Sequence, residues 1–473
     1  MSFKFTAPIE KNIKTGTIVA GQKLLRHPAA LLAAILFLLA APVSAQDSTW
    51  TLADCLHYAQ VHNLSLQEQE IDLRVARMNY QVSKLSHIPQ LSLASSYGAS
   101  FGRSINPTTN QFENTRFSSL GLGASSNVLL FGWFQKHYTI KNNGLSLEQA
   151  AQARQQSGNE VAMHVTTAYL RALLAKEQIA NVRYQIDISR EHKSRMERLL
   201  EAGRSNMLEV SQARTQLATD SGLYYSAMLH YEQALIELKA ILNLDFTVTI
   251  LPVPVKDYEP PFYSEKTDPE TLYLQAAAQH PDLIRSGLGV NIATRELKIA
   301  RAGSLPQLST YYATGTNYSS SFYEMLPNGE RQLMQLGRQL NNNLYHSFGL
   351  GISVPLFNGF TYKKAIRGAG YDIEKAKLAE LVARQRLRQN IYTAYTDYEL
   401  TLKQYFVAGS VAEHAKNSFH GAQVRFDNGL ITHVEYLTEQ NNFLKAQNEV
   451  TALKYDLQFK KIRLDCYRTG CGE

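Results

Sequence analysis

Outside one stretch near its start, the 473-residue sequence contains no run of 18 consecutive apolar residues, so no later segment could cross a bilayer as a helix. Cysteine is nearly absent. Cys55, Cys466 and Cys471 are too few for a disulfide framework. Cys466 and Cys471 are close enough to pair in an oxidising compartment, or they stay as two free thiols. Leu52-Ala53-Asp54-Cys55 approximates a lipoprotein cleavage box, but Asp54 is wrong before the cysteine, so Cys55 reads as an ordinary helix residue. The chain has no HExxH, no GxSxG and no Gly-rich phosphate loop, which excludes the common hydrolase and nucleotide sites and leaves no enzyme to propose. Its 13 histidines are scattered, and Glu191-His192 and Glu413-His414 fall on helical stretches where an exposed face is expected. No metal or cofactor is implied.

The one long apolar run, Ala29 to Ala40, follows Lys23 and Arg26 and precedes Val43-Ser44-Ala45, small residues spaced as at a cleavage site. Residues 1–45 therefore read as a secretory signal peptide, the run being short for a membrane span and followed by Pro42. Its removal takes away Lys4, Lys11, Lys14, Lys23, Arg26 and Glu10, a net of four positive charges, so the formal +7 falls to +3. No nucleic-acid motif accompanies that small excess, and no nucleic-acid partner is expected. An exported chain without a spanning helix either stays soluble or enters a membrane as a barrel.

The sequence also says itself twice. Pro89-Gln90-Leu91-Ser92 returns as Pro306-Gln307-Leu308-Ser309, at an offset of 217 shared by Leu66/Leu283 and Ala76/Ala293. The offset is 228 at Gly121/Gly349, 227 at Gly132/Gly359, and 226 at Thr167/Thr393, Gly203/Gly429 and Glu209/Glu435. Such a period exceeds that of a solenoid. It predicts an internal tandem repeat: a first unit over 46–250, a Pro-rich linker over 251–267 and a second unit over 268–473.

Each unit holds two patterns. The first has period two: Leu91, Leu93, Tyr97, Ala99 and Phe101 alternate with Ser92, Ser96 and Ser100, and Phe348, Leu350, Ile352 and Val354 alternate with Gly349, Gly351 and Ser353. Strands of ~10 residues match a tilted bilayer crossing. Hairpins are predicted over 90–131 and 307–357, with polar loops at 102–116 and about 319–343. A soluble sandwich alternates in the same way. The second pattern is helical. No proline interrupts the roughly 70 residues between Gly132 and Gly203, or between Gly359 and Gly429. Val161, Val165, Ala168, Ala172, Ala175, Ile179, Val182 and Ile186 step by 3 and 4, as do Ile391, Ala394, Tyr398, Thr401, Tyr405, Ala408, Ala412, Ala415, Phe419, Ala422 and Phe426. A mean step of 3.5 predicts left-handed supercoiling. The glycines near 203 and 429 predict helical-hairpin tips, with return helices from Leu430 in the second unit. A soluble periplasmic coiled-coil structural protein would share these heptads but would have no use for four alternating strands.

Four strands cannot close a barrel, and lipid tolerates no open sheet edge. Two copies would give eight strands with a filled interior, and three would give twelve with a lumen. Pro89 and Pro306 mark the helix-to-strand corners, since proline stops a helix and suits the start of a strand.

The signal peptide, the duplicated helix–strand–strand–helix units, "PQLS" before a strand, "LFNG" after one and the glycine-turned hairpins together resemble the TolC family of outer-membrane efflux channels. The resemblance covers essentially the whole mature chain. It implies a homotrimer in outer-membrane lipid: a 12-stranded β-barrel, four strands per chain, continued by a long periplasmic α-helical coiled-coil barrel. It implies partners in a periplasmic adaptor (membrane fusion) protein and an inner-membrane transporter, in a tripartite efflux or secretion system. It further implies that acidic residues after the tips narrow the periplasmic entrance. The matching positions are Glu209 and Glu435, with Thr438 where the family's founding member has another acid and Ile431 where it has a basic residue near the turn. Gly203, Arg204, Ser205, Gly429, Leu430 and Ile431 fall at the tips where an adaptor would dock. Helix-start glutamates also arise simply because the helix dipole favours them.

Overall fold

A computed structural model describes residues 48–105, 110–254 and 268–470. The expected signal peptide, Cys471 and most of the expected linker (255–267) lie outside the described residues. In chain order come β1 (Ser48–Trp50), α1 (Leu52–His62), α2 (Leu64–Leu85), β2 (Gln90–Ile105), β3 (Phe112–Phe131), α3 (Gln135–Glu201), α4 (Met207–Leu242) and β4 (Ile250–Pro252). After the linker come α5 (Pro269–Gln279), α6 (Pro281–Ala302), β5 (Gln307–Ser319), β6 (Tyr323–Met325), β7 (Arg331–Leu333), α7 (Leu336–Asn342), β8 (Tyr345–Ser353), α8 (Thr361–Asp427) and α9 (His433–Thr469).

The two proline-free stretches become α3 and α8, each of 67 residues. At 1.5 Å per residue each is a rod of about 100 Å. Both start on an aromatic residue in the left-handed region, Phe134 and Phe360, each at φ 62°. Both end in the same way. Gly203 (φ +68°) donates to the Leu200 carbonyl while Arg204 donates to Leu199, and Gly429 (φ +70°) donates to Phe426 while Leu430 donates to Arg425. These are two Schellman closures, which satisfy orphan carbonyls and need a left-handed residue that glycine supplies without strain. The second return helix begins at His433 rather than Leu430, because Thr432 is its N-cap.

The four long strands form one antiparallel sheet in the order β2-β3-β5-β8. Leu91, Leu93, Tyr97 and Phe101 share a face with Leu122, Tyr312, Phe348, Leu350 and Ile352, as the register Leu93↔Ala124, Tyr97↔Leu120 and Tyr312↔Phe348 requires. That face is bare: Leu93 is 82 % exposed and Ile352 74 %. The opposite face carries Ser92, Ser96, Gly98 and Ser100. Both outer strands have an unpaired edge among the described residues, β2 beyond β3 and β8 beyond β5. Strands run on where polar loops were expected, to Ile105 and from Phe112. The 319–343 loop is also corrected. It contains the small β6–β7 hairpin and α7, pinned by buried Gln339, whose amide meets the backbone of Ser319 and Met334.

Pro89 and Pro306 stand immediately before β2 and β5, and the Trp133 indole N–H donates to the Pro306 carbonyl at 2.8 Å, tying the start of one rod to the other corner. The main apolar core lies midway along the helices, where Val165, Tyr169 and Leu173 of α3 meet Cys55 and Ala59 of α1 and Leu235, Leu238 and Leu242 of α4. Burial pushes the Cys55 thiol up to about 12, so it is an inert core group. Among the described residues no helix is long and apolar enough to cross a membrane.

Candidate functional site

The far ends of α3 and α8 and the first turns of α4 and α9 make the hairpin tips. Asn206 caps α4 by accepting the Glu209 amide at 3.0 Å, and the Ser205 hydroxyl donates to the Glu209 carboxylate at 2.6 Å. Thr432 and Glu435 form a reciprocal capping box: the Glu435 carboxylate accepts the Thr432 amide at 2.7 Å, and the Thr432 hydroxyl accepts the Glu435 amide at 3.3 Å. Those bonds from the Thr432 amide and hydroxyl, with Arg425 nearby, hold Glu435 below the usual carboxylate range. Glu435 is thus part of a local cap as well as a charge in the first helical turn, while Glu209 is such a charge held by Ser205. Thr438 donates its hydroxyl to the Val434 carbonyl and lines a shallow groove between α4 and α9 with Leu208, Gln212, Gln216 and Val434. Gly203, Arg204, Gly429 and Leu430 are exposed; Ser205 and Ile431 are half-buried. Leu208, Leu430 and Val434 add exposed apolar surface beside them.

Behind the tips lies a cluster the sequence reading missed. His192, expected on an exposed face, is only 4 % exposed, and so is His433. Their rings stack at 4.9 Å between centroids, with Nε2 of His192 3.1 Å from Nδ1 of His433. Tyr436 also stacks on His192, at 4.4 Å between centroids. Burial, with the neighbouring His433 and Arg195, pushes His192 down to about 3. Burial also lowers His433, against the opposing pull of Glu209. One turn further from the tip, Asp220 of α4 is fully buried and accepts from Gln185 at 2.5 Å, Gln216 at 2.9 Å and the Ser189 hydroxyl. The seam spacing through Val182 could have found Gln185, Ser189, His192 and Met196, since they continue its steps of 3 and 4. Apolar periodicity does not register them, because three of the four side chains are polar. No cluster of three or more metal-ligating side chains occurs among the described residues.

A family model described as outer membrane efflux protein matches residues 55–244 and 272–467, most of the chain. The chain belongs to that family. Its curated relatives include the alkaline protease secretion protein AprF of Pseudomonas aeruginosa, 26 % identical over 321 residues, covering 65 % of this chain and 61 % of AprF. They also include the outer membrane protein TolC of Escherichia coli, 19 % identical over 413 residues, covering 86 % of this chain and 79 % of TolC. The crystal structure of the outer membrane protein VceC from Vibrio cholerae superposes with a TM-score of 0.74 at 15 % identity, covering 89 % of this chain and 97 % of that one. As a member of the outer membrane efflux family, the protein is an outer-membrane protein with a large periplasmic helical part.

Proposed function

We propose that the chain is one third of a homotrimeric conduit, the outer-membrane exit duct of a tripartite efflux or secretion system. A single observation carries this reading. One protomer presents four membrane-length strands with a bare apolar face and two open edges. Lipid cannot satisfy those edges, so β2 of one copy must pair with β8 of the next. Three copies give a 12-stranded barrel with room for a lumen lined by the Ser/Gly face, and α3, α4, α8 and α9 continue the wall as a periplasmic helical tube. The equal rods and matching glycine turns support the reading of two repeated units over 46–250 and 268–473, joined through 251–267. The work is conduction rather than catalysis.

In this reading the tips around Gly203, Arg204, Ser205, Gly429, Leu430 and Ile431 receive a periplasmic adaptor, which hands over substrate from an inner-membrane transporter. Glu209, Glu435 and Thr438 from three chains ring the entrance, and six carboxylates there favour cations. Single-channel recording in planar bilayers tests this. Wild type should conduct with cation preference, and Glu209→Gln with Glu435→Gln should reduce that preference. Unchanged selectivity would remove both acids from the aperture, and a protein that forms no channels would remove the duct.

A further inference from the structure

The outward face of the first β-hairpin is not apolar throughout: two arginines interrupt it before it closes with Ile105 opposite Phe112. Leu91, Leu93, Tyr97 and Phe101 lie on one parity of β2, and the same parity continues to Arg103. On β3 the same face carries Arg116, directly opposite Phe101, while Arg103 is opposite Asn114. The two arginines are therefore diagonal neighbours across the pair, about 7–8 Å apart at the backbone. Each guanidinium lies over a phenylalanine of the partner strand: Arg116 over Phe101 at 4.8 Å from the ring centroid, and Arg103 over Phe112 at 5.1 Å. Among the described residues neither arginine is in an ion pair, and the nearby Glu113 has the opposite parity on β3, facing away from them. Both are exposed.

Their height is informative. The ten residue steps from Leu91 to Phe101, at ~3.3 Å each and tilted about 45°, rise roughly 23 Å, close to the ~25 Å apolar band of an outer-membrane barrel. Arg103 and Arg116 thus sit at the headgroup level, at the end of the strands away from the helices, which is the outer leaflet. A guanidinium stacked on a ring is held flat with its N–H fork free, the geometry that grips a phosphate through two parallel hydrogen bonds. We propose that Arg103 and Arg116 form a binding site for a phosphate-bearing lipid headgroup of the outer leaflet, the phosphorylated glucosamine of lipid A, docked against Tyr97 and Phe101 by its acyl chains. The inference rests on the barrel reading above, since only an inserted barrel brings this face to lipid.

Native mass spectrometry of the detergent-solubilised protein, titrated with diphosphoryl lipid A, tests it. Wild type should retain the lipid. Arg103→Ala with Arg116→Ala should weaken it at least about tenfold, and Arg→Lys at both positions should restore part of it, because a point charge replaces a bidentate fork. Dephosphorylated lipid A should bind wild type and the alanine variant alike. Displacement of the lipid by millimolar inorganic phosphate would assign the site to free phosphate and overturn the proposal. Should the double variant fail to assemble, single Arg103→Gln and Arg116→Gln variants carry the same reading. Wild-type protein that neither inserts nor conducts overturns the duct and this site together. Channels that insert and conduct, but bind diphosphoryl lipid A equally with and without the arginines, overturn this site alone.

Discussion

Midway along the rods and close to their tips, the same helices pack through opposite chemistry. At the middle, α3 presents Val165, Ala168, Tyr169, Ala172 and Leu173 to α1 and α4, and the central hydroxyl is capped: that of Tyr169 sits between the carbonyls of Trp50 and Val253, at 2.8 and 2.6 Å, and accepts the Val253 amide at 3.1 Å, while the Oε1 of Gln458 on α9 beside this core is buried without a partner. Toward the tips the seam positions hold Gln185, Ser189 and His192, facing Asp220, His433 and Gln440. The Nδ1 of His192, the Nε2 of His433 and the Oε1 of Gln440 are buried without a hydrogen-bond partner. Burial without partners is costly, so the tip seam holds less stability than the middle seam for similar area. If local stability follows that difference, the middle is the fixed frame and the tip the end that opens first.

The largest effect is expected at the middle. Tyr169→Ala removes a fully buried ring and should cost about 3–5 kcal/mol, read by denaturant unfolding of the detergent-solubilised protein. A loss no larger than that of a tip variant would erase the contrast. Next, Asp220→Ala strands the donors of Gln185, Gln216 and Ser189 and should cost about 1–3 kcal/mol. Hydrogen exchange should accelerate in α3 and α4 near residues 185–220 while amides around Leu238 stay protected.

Acid should act most strongly on the tip seam, with His280 at the α5–α6 junction, also lowered by burial, as a second sensitive point. His192 is held neutral, with its folded value near 3 against about 6.5 unfolded, so the unfolded or opened state binds the extra proton. Stability is full above the unfolded value and declines as pH falls through 6.5 toward 3. His433 is lowered in the same sense, while Glu209 across the seam opposes the shift and Arg195 reinforces that of His192. Hydrogen exchange at the tips should therefore quicken from pH 7 to pH 5, and His192→Phe should flatten that dependence. The smallest effect is at the second tip, where Thr432→Ala removes half of the capping box at a cost of about 1 kcal/mol, seen as fraying of the first turn of α9.

Legibility divides along the same line. Apolar periodicity carries information wherever the seam is apolar. The stripe from Ile391 through Ala394, Tyr398, Thr401, Ala408, Phe419 and Ala422 is buried where its spacing placed it, and so is the run from Val161 to Ala175. The strand faces were legible for the same reason, since each large residue alternates with a small one. The tip glycines were legible because a left-handed closure restricts residue choice. Where the seam turns polar the pattern vanishes. The apolar spacing points to Ile186, while Gln185 is the residue buried there, and His192, in a polar stretch that reads as exposed, is buried. β6, β7 and α7, of 3, 3 and 7 residues, are too short for any period to register. At Arg103 and Arg116 the parity was readable, but the phenylalanine beneath each guanidinium depends on strand register, which one sequence does not state.

One chain brings too little sheet to seal itself against lipid. Light scattering of the detergent-solubilised protein, with the detergent contribution separated by refractive index, measures it most directly. The account predicts a protein mass of three chains per particle, and a particle containing a single chain would contradict it.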